Sequence, residues 1–195
     1  MHSLSILLRG ALAAATIHFA AGAAVAGPVV EAAERAEELA DAGEPVRALE
    51  ALDEAVAVVW QQAPLGLRTW AIVDEVGGYG IYDPREEAVF RPGETMRVYL
   101  EPVGFVYASQ GDMHEVGLSA DLAIETPRGQ IIVEAKDLFS MAWQSRNRIR
   151  ELPVTFAFRV PELVPDEYRA TFTVRDRNSE KTGEFSVPFR VGEAP

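Results

Sequence analysis

The chain has 195 residues, with 30 acidic against 18 basic side chains, a formal net charge of −12 and no cysteine. This balance argues against nucleic acid and anionic lipid as partners, because both require positive surface. Without cysteine there are no disulfides, thiol nucleophiles, zinc–thiolate sites or iron–sulfur clusters, so a domain outside the cytoplasm must be held by its core alone.

Residues 1–26 have the pattern of a secretion signal. Arg9 is the one formally charged side chain before Glu31, an alanine-rich apolar stretch runs from Ala11 to Ala26, and Ala24-Val25-Ala26 is a small-x-small sequence before Gly27-Pro28. His18, Gly22 and the alanines make the stretch weak for a membrane span, which takes roughly 20 apolar residues. The expectation is cleavage after Ala26, no stable membrane insertion afterwards, and a periplasmic or secreted protein. Cleavage removes His2 and His18 and leaves His114 as the sole imidazole. A multi-histidine metal site within one chain is then excluded.

Residues 27–64 read as a helical hairpin. Val29, Ala33, Ala36 and Ala40 fall on one stripe, with Glu31, Glu34, Glu37, Glu38 and Asp41 on the other side. Gly43 is placed as a helix stop and Pro45 as a first helical residue. Val46, Leu49, Leu52, Val56 and Val59 then recur at helical spacing, and Trp60 widens their face before Pro64 and Gly66 end it. The expectation is that this stripe packs on a neighbouring sheet; the other reading is a surface for homodimerisation or partner docking. Ala40-x-x-Gly43 followed by Ala48-Leu49-x-x-Leu52-x-x-Ala55 resembles a single tetratricopeptide repeat. One such repeat forms no solenoid, since stacking takes about three.

Residues 65–195 change to a period of two. Met96, Val98 and Leu100 alternate with polar neighbours, as do Leu118 to Ile124, Val154 to Val160, Tyr168 to Val174 and Phe185 to Val191. Each predicts a strand with one buried and one wet face. Leu67–Val73, Gln130–Glu134 and Gly77–Tyr82 are weaker strand candidates. Turns are marked at Arg91-Pro92-Gly93-Glu94, at Thr126-Pro127-Arg128-Gly129 and from Asn178 to Gly183. Pro188 requires an edge or a bulge in the last strand. The fold class expected is mainly β with an N-terminal α appendage: an antiparallel β-sandwich preceded by a helical hairpin.

Asp166-Glu167-Tyr168-Arg169-Ala170, after a proline-bounded loop, resembles the tyrosine corner of immunoglobulin-like domains. The resemblance implies an immunoglobulin-like or fibronectin-III-like sandwich of exported bacterial proteins, with Tyr168 bonded to upstream backbone. Ala170 stands where antibody domains carry a cysteine, so the disulfide version is excluded. The resemblance speaks to fold and not to activity.

Two groups of residues stand out for function. Tyr79, Tyr82, Phe105 and Tyr107 lie in glycine-containing segments, where aromatic rings stack on sugars or anchor peptides, or else plug the end of a core. His114 joins them, in a segment read as a polar loop with Asp112 and Glu115. Arg146, Arg148 and Arg150 form the basic cluster, suited to an acidic partner or to the chain's own carboxylates. No Gly-x-Ser-x-Gly elbow and no phosphate-binding loop is present, and Asp176-x-Asn178-x-Glu180 lacks the glycine of a calcium loop. No catalytic residue, metal or cofactor is assigned. The function expected is an exported, non-enzymatic binding or scaffold module that engages an envelope protein or glycan. The rivals are a carboxylate-dependent carbohydrate-active hydrolase or its accessory domain, and a structural homo-oligomer of the cell envelope.

Overall fold

The computed structural model describes residues 27–192. The expected secretion signal lies outside the described residues. Helix α1 spans Pro28–Asp41 and α2 spans Pro45–Gln62, each opened by a proline in its first turn. Gly43 at φ 75° ends α1. The amide of Gly43 donates to Ala40 O and that of Glu44 to Leu39 O, the paired bonds of a Schellman cap.

The two helices meet through small side chains. Ala32 and Ala36 of α1 are buried, as are Ala48, Ala51 and Ala55 of α2. The aliphatic stripe of α2 does not pack on a sheet, contrary to expectation: Val46 is 68% exposed, Leu49 63% and Val59 55%. Two adjacent faces of α2 compete for cover, and the alanine face wins because it lets the helix backbones approach. Only the C-terminal end of α2, at Trp60, enters the main core.

Ten strands follow in chain order: β1 Gly66–Gly78, β2 Ile81–Pro84, β3 Val89–Phe90, β4 Thr95–Val103, β5 Ala108–Gln110, β6 Met113–Glu125, β7 Ile131–Ser145, β8 Val154–Arg159, β9 Asp166–Asp176 and β10 Thr182–Val191. One sheet has the order β2-β1-β4-β8. The other runs β3-β10-β9-β6, with β5 continuing beyond β9 on one edge of β6 and β7 on the other. Pairing is antiparallel except between β3 and β10.

The two sheets face each other across a core built by the period-two residues. Met96, Val98 and Leu100 of β4 and Val154, Phe156 and Phe158 of β8 meet Leu118, Phe172, Val174, Phe185 and Val187 from the other sheet. Phe172 sits at the centre, with ring centroids 5.4 Å from Phe156, 5.9 Å from Phe158 and 4.9 Å from Phe185. The fold class is therefore the expected one: a helical hairpin followed by an antiparallel β-sandwich. Pro188 fits its constraint, because β3 covers the outer edge of β10 only at Arg190 and Val191. The Tyr168 hydroxyl donates to Val164 O at 2.9 Å, the bond the tyrosine-corner resemblance implies.

Strand β7 departs from the sequence reading. It runs 15 residues, far beyond the weak candidate at 130–134. Its partners jump from Ala120↔Phe139 to Leu122↔Ala135, so Lys136, Asp137 and Leu138 bulge out and break the alternation. Asp137 takes φ 48° there, and its amide donates to Asp121 Oδ1 at 2.8 Å. Asp121, buried on β6, also pairs with Arg175 and Lys136. Arg146, Arg148 and Arg150 follow β7 in an irregular segment, so they do not share a strand face.

Candidate binding site at the helix–sandwich junction

The last turn of α2 docks on the end of the sandwich. Trp60 meets Phe105 edge-on, with centroids 5.0 Å apart at 86°, and its Nε1–H donates to Phe105 O at 2.8 Å. Lys181 Nζ donates to Gln61 O at 3.0 Å and Gly104 O at 2.8 Å, tying helix and loop together. Gly104 has φ 78° and a Cβ there would lie 2.2 Å from Pro64 O, so only glycine permits this approach.

The loop carrying Phe105 is held from below. Val106 donates its amide to Asp176 Oδ2 at 2.7 Å, and Asn178 Nδ2 donates to Val106 O at 3.0 Å and Glu115 O at 3.1 Å. Asp176 also accepts from Ser179 Oγ at 2.8 Å. These polar residues at the β9–β10 turn organise the loop.

Between α2 and the loop lies a cavity of about 200 Å³, lined by Ala57, Trp60, Phe105, Tyr107, Arg148 and Arg150 among others. Its walls are aromatic and its rim is cationic. Arg150 is already neutralised, with Nη1 2.6 Å from Asp53 Oδ1 and Nη2 3.0 Å from Asp53 O. Arg148 lies with its guanidinium carbon 5.9 Å from the centre of the Tyr107 ring, and it makes no ion pair among the described residues. The Tyr107 hydroxyl donates to Ile149 O at 2.5 Å. Burial raises the pKa of that hydroxyl, against the smaller opposing pull of Arg150 and Arg148, so it stays a donor.

The structure thus brings together Phe105, Tyr107, Arg148 and Arg150, from both groups singled out in the sequence. The other candidates lie apart from the cavity. His114 is on β6 rather than in a loop, 6.2 Å from the Tyr107 ring centre, and its buried Nδ1 has no hydrogen-bond partner. Asp112 pairs with Arg146, and Glu115 accepts from Gln144 Nε2 at 2.8 Å. Tyr82 stacks on Tyr99 at 4.4 Å, and the Tyr79 hydroxyl accepts from Arg68 Nη1 at 2.9 Å. Trp60 and Asp53 were not singled out as site residues. An indole in the last turn of a helix, just before Pro64 and Gly66, was the available signal.

A larger and more polar cleft, about 770 Å³, opens at the opposite end of the β9–β10 pair. Glu87, Glu125 and Glu167 line it together with Arg169 and Arg190. Among the described residues no three His, Asp or Glu side chains gather as a metal site, and no helix is long and apolar enough to cross a membrane.

No protein-family model matches the chain, and no curated protein matches its sequence. Solved structures give distant likenesses. A superoxide reductase (neelaredoxin) from Ignicoccus hospitalis is 11% identical, with 67% of this chain and 84% of that chain covered, at a TM-score of 0.35. An alkylpurine DNA glycosylase from Pseudomonas fluorescens is 10% identical over 77% of this chain and 39% of that one, at 0.36. A family 123 glycoside hydrolase from Clostridium perfringens is 11% identical over 68% and 28%, also at 0.36. At these scores the likenesses carry no argument about what this chain does.

Proposed function

We propose that the chain is an exported, non-enzymatic binding module that holds an anionic group of an envelope protein or glycan in the junction cavity. The observation that carries this reading is Arg148, a guanidinium without an ion-pair partner beside the aromatic walls of Trp60, Phe105 and Tyr107. A guanidinium gives a carboxylate, phosphate or sulfate paired hydrogen bonds, and the rings offer a stacking surface to the group that carries it. The order β1-β4-β8 in one sheet and β10-β9-β6-β7 in the other, with the Tyr168–Val164 bond at the start of β9, supports the reading of an immunoglobulin-like or fibronectin-III-like sandwich with a tyrosine corner. Loops at the ends of such sandwiches are their usual binding surfaces.

The test is a binding titration of the chain beginning at Gly27 with glucuronate and phenyl phosphate, each beside its neutral counterpart, glucose or phenol, followed by the indole resonance of Trp60 in a ¹⁵N-labelled sample. At least one anionic probe binds more tightly than its counterpart, loses at least tenfold in affinity in Arg148→Ala, and is unaffected by Arg146→Ala. Equal binding of the neutral probes, or indifference to Arg148→Ala, overturns the reading.

The carboxylate-lined cleft at the other end favours a second reading, a glycan hydrolase. Glu125 and Glu167 would then serve as the acid–base pair that glycoside hydrolysis requires. Turnover of a chromogenic glycoside that Glu125→Gln or Glu167→Gln abolishes would establish it in place of the binding module.

A further inference from the structure

The aliphatic row on α2 has no partner within the described residues. Val46, Leu49, Leu52, Val56 and Val59 are between 43% and 68% exposed. Leu49, Leu52, Val56 and Val59 step by three, four and three residues, the a–d spacing with which one helix receives another. Val29 and Val30 at the start of α1 are also exposed, at 38% and 48%. A continuous apolar row rimmed by polar residues marks an interaction surface.

Charge selects the occupant. Residues 28–62 carry nine acidic side chains against two basic ones; Asp53 is held by Arg150, while Glu50 and the acids of α1 make no ion pair among the described residues. The hairpin's only basic residues, Arg35 and Arg47, are already paired, with Glu54 and Glu44. A second copy would set this acidic collar against itself, and an anionic bilayer would be repelled. We propose that the α2 face docks an amphipathic helix of a partner protein, with apolar residues at heptad spacing and Lys or Arg on the flanks. The apolar row would supply the seam and the collar would select basic flanks, as charged flanks do in coiled coils.

The test uses the chain from Gly27 and three synthetic peptides: one with Leu at heptad positions and Lys flanks, its scrambled isomer, and the same heptad pattern with Glu flanks. The Lys-flanked heptad peptide binds at least tenfold tighter than either control. The double variant L49S/L52S lowers that affinity at least tenfold with only a small fall in thermal midpoint, because Leu49 and Leu52 are 63% and 44% exposed. Arg148→Ala leaves this binding unchanged, which separates it from the cavity. Equal binding of the scrambled peptide reduces the effect to bulk charge and overturns the proposal, as does equal binding of the Glu-flanked peptide or indifference to L49S/L52S. A dimer in light scattering that L49S/L52S dissolves assigns the face to a second copy and equally overturns it.

Discussion

The indole of Trp60 meets Phe105 twice, its backbone through an Nε1–H···O bond of 2.8 Å and its ring through an edge-to-face contact at 5.0 Å. Together with the Lys181–Gln61 and Arg150–Asp53 bonds it fastens the hairpin to the sandwich, and it builds a wall of the cavity. Trp60→Phe keeps much of the ring and leaves Phe105 O without its donor, at a cost of about 1–3 kcal/mol. Trp60→Ala also empties the space, at about 3–5 kcal/mol. Urea unfolding measures both. Hydrogen exchange in α1 and α2 should accelerate in the alanine variant, because the helices lose their anchor.

Gly104→Ala tests the same joint from the loop side. Its Cβ would overlap Pro64 O, and an L-residue at φ 78° adds about 1–2 kcal/mol of backbone strain. The expected outcome is a lower thermal midpoint together with a shifted Trp60 indole resonance, since the adjoining linker must move. An unchanged spectrum would mean that the junction is looser than described.

Alkaline stability depends on Tyr99. Burial, reinforced by the Glu101 carboxylate and only partly offset by the Gly80 amide, pushes its hydroxyl from 10.0 up to about 12. Below pH 10 the phenol is protonated in both folded and unfolded chains, and its contribution is fully present. Between 10 and about 12 the unfolded chain ionises first, so stability falls across that window. Burial also raises Tyr168 and Tyr107, which act in the same direction. Tyr99→Phe should flatten part of this decline in a pH series of denaturation curves.

Acid stability depends on Asp121. Desolvation raises its pKa, but Arg175, the Asp137 amide and Lys136 outweigh it, and the net shift is downward from 3.8. Its contribution is therefore complete above the unfolded carboxyl's pKa and is lost as pH falls through the lower folded value. Asp121→Asn should cost about 1.5–3 kcal/mol at neutral pH, the range for hydrogen bonds to a charged group, and should cost progressively less in acid. The bulge at Asp137 should exchange its amide faster in that variant.

Much of the fold was legible because alternation is a physical signature. Strands such as β8 and β9 carry unbroken period-two runs, and Tyr168 marked a strand entry whose hydrogen bond is present. What interrupted the signal was local irregularity held by distant partners. The β7 bulge is stabilised by Asp121 and Arg175, which the chain reaches only through other strands. The hairpin was legible as two helices, but not the direction of its faces. Alanines and aliphatics occupy neighbouring stripes on α2, and periodicity does not say which one finds cover. The cavity was half legible. Aromatics and arginines were visible as two separate groups, while their convergence depends on Trp60 meeting a loop far along the chain.

An anionic group bound at the junction would lie against Trp60, Phe105, Tyr107 and Arg148 at once. The direct measurement is a chemical-shift map of the ¹⁵N-labelled chain from Gly27, titrated with glucuronate and phenyl phosphate. The Trp60 indole and the amides of Phe105, Tyr107 and Arg148 should move together for the probe that binds, with the amides of Glu87, Glu125 and Glu167 still. Shifts confined to those three glutamates, or none at either end with both probes, would contradict it.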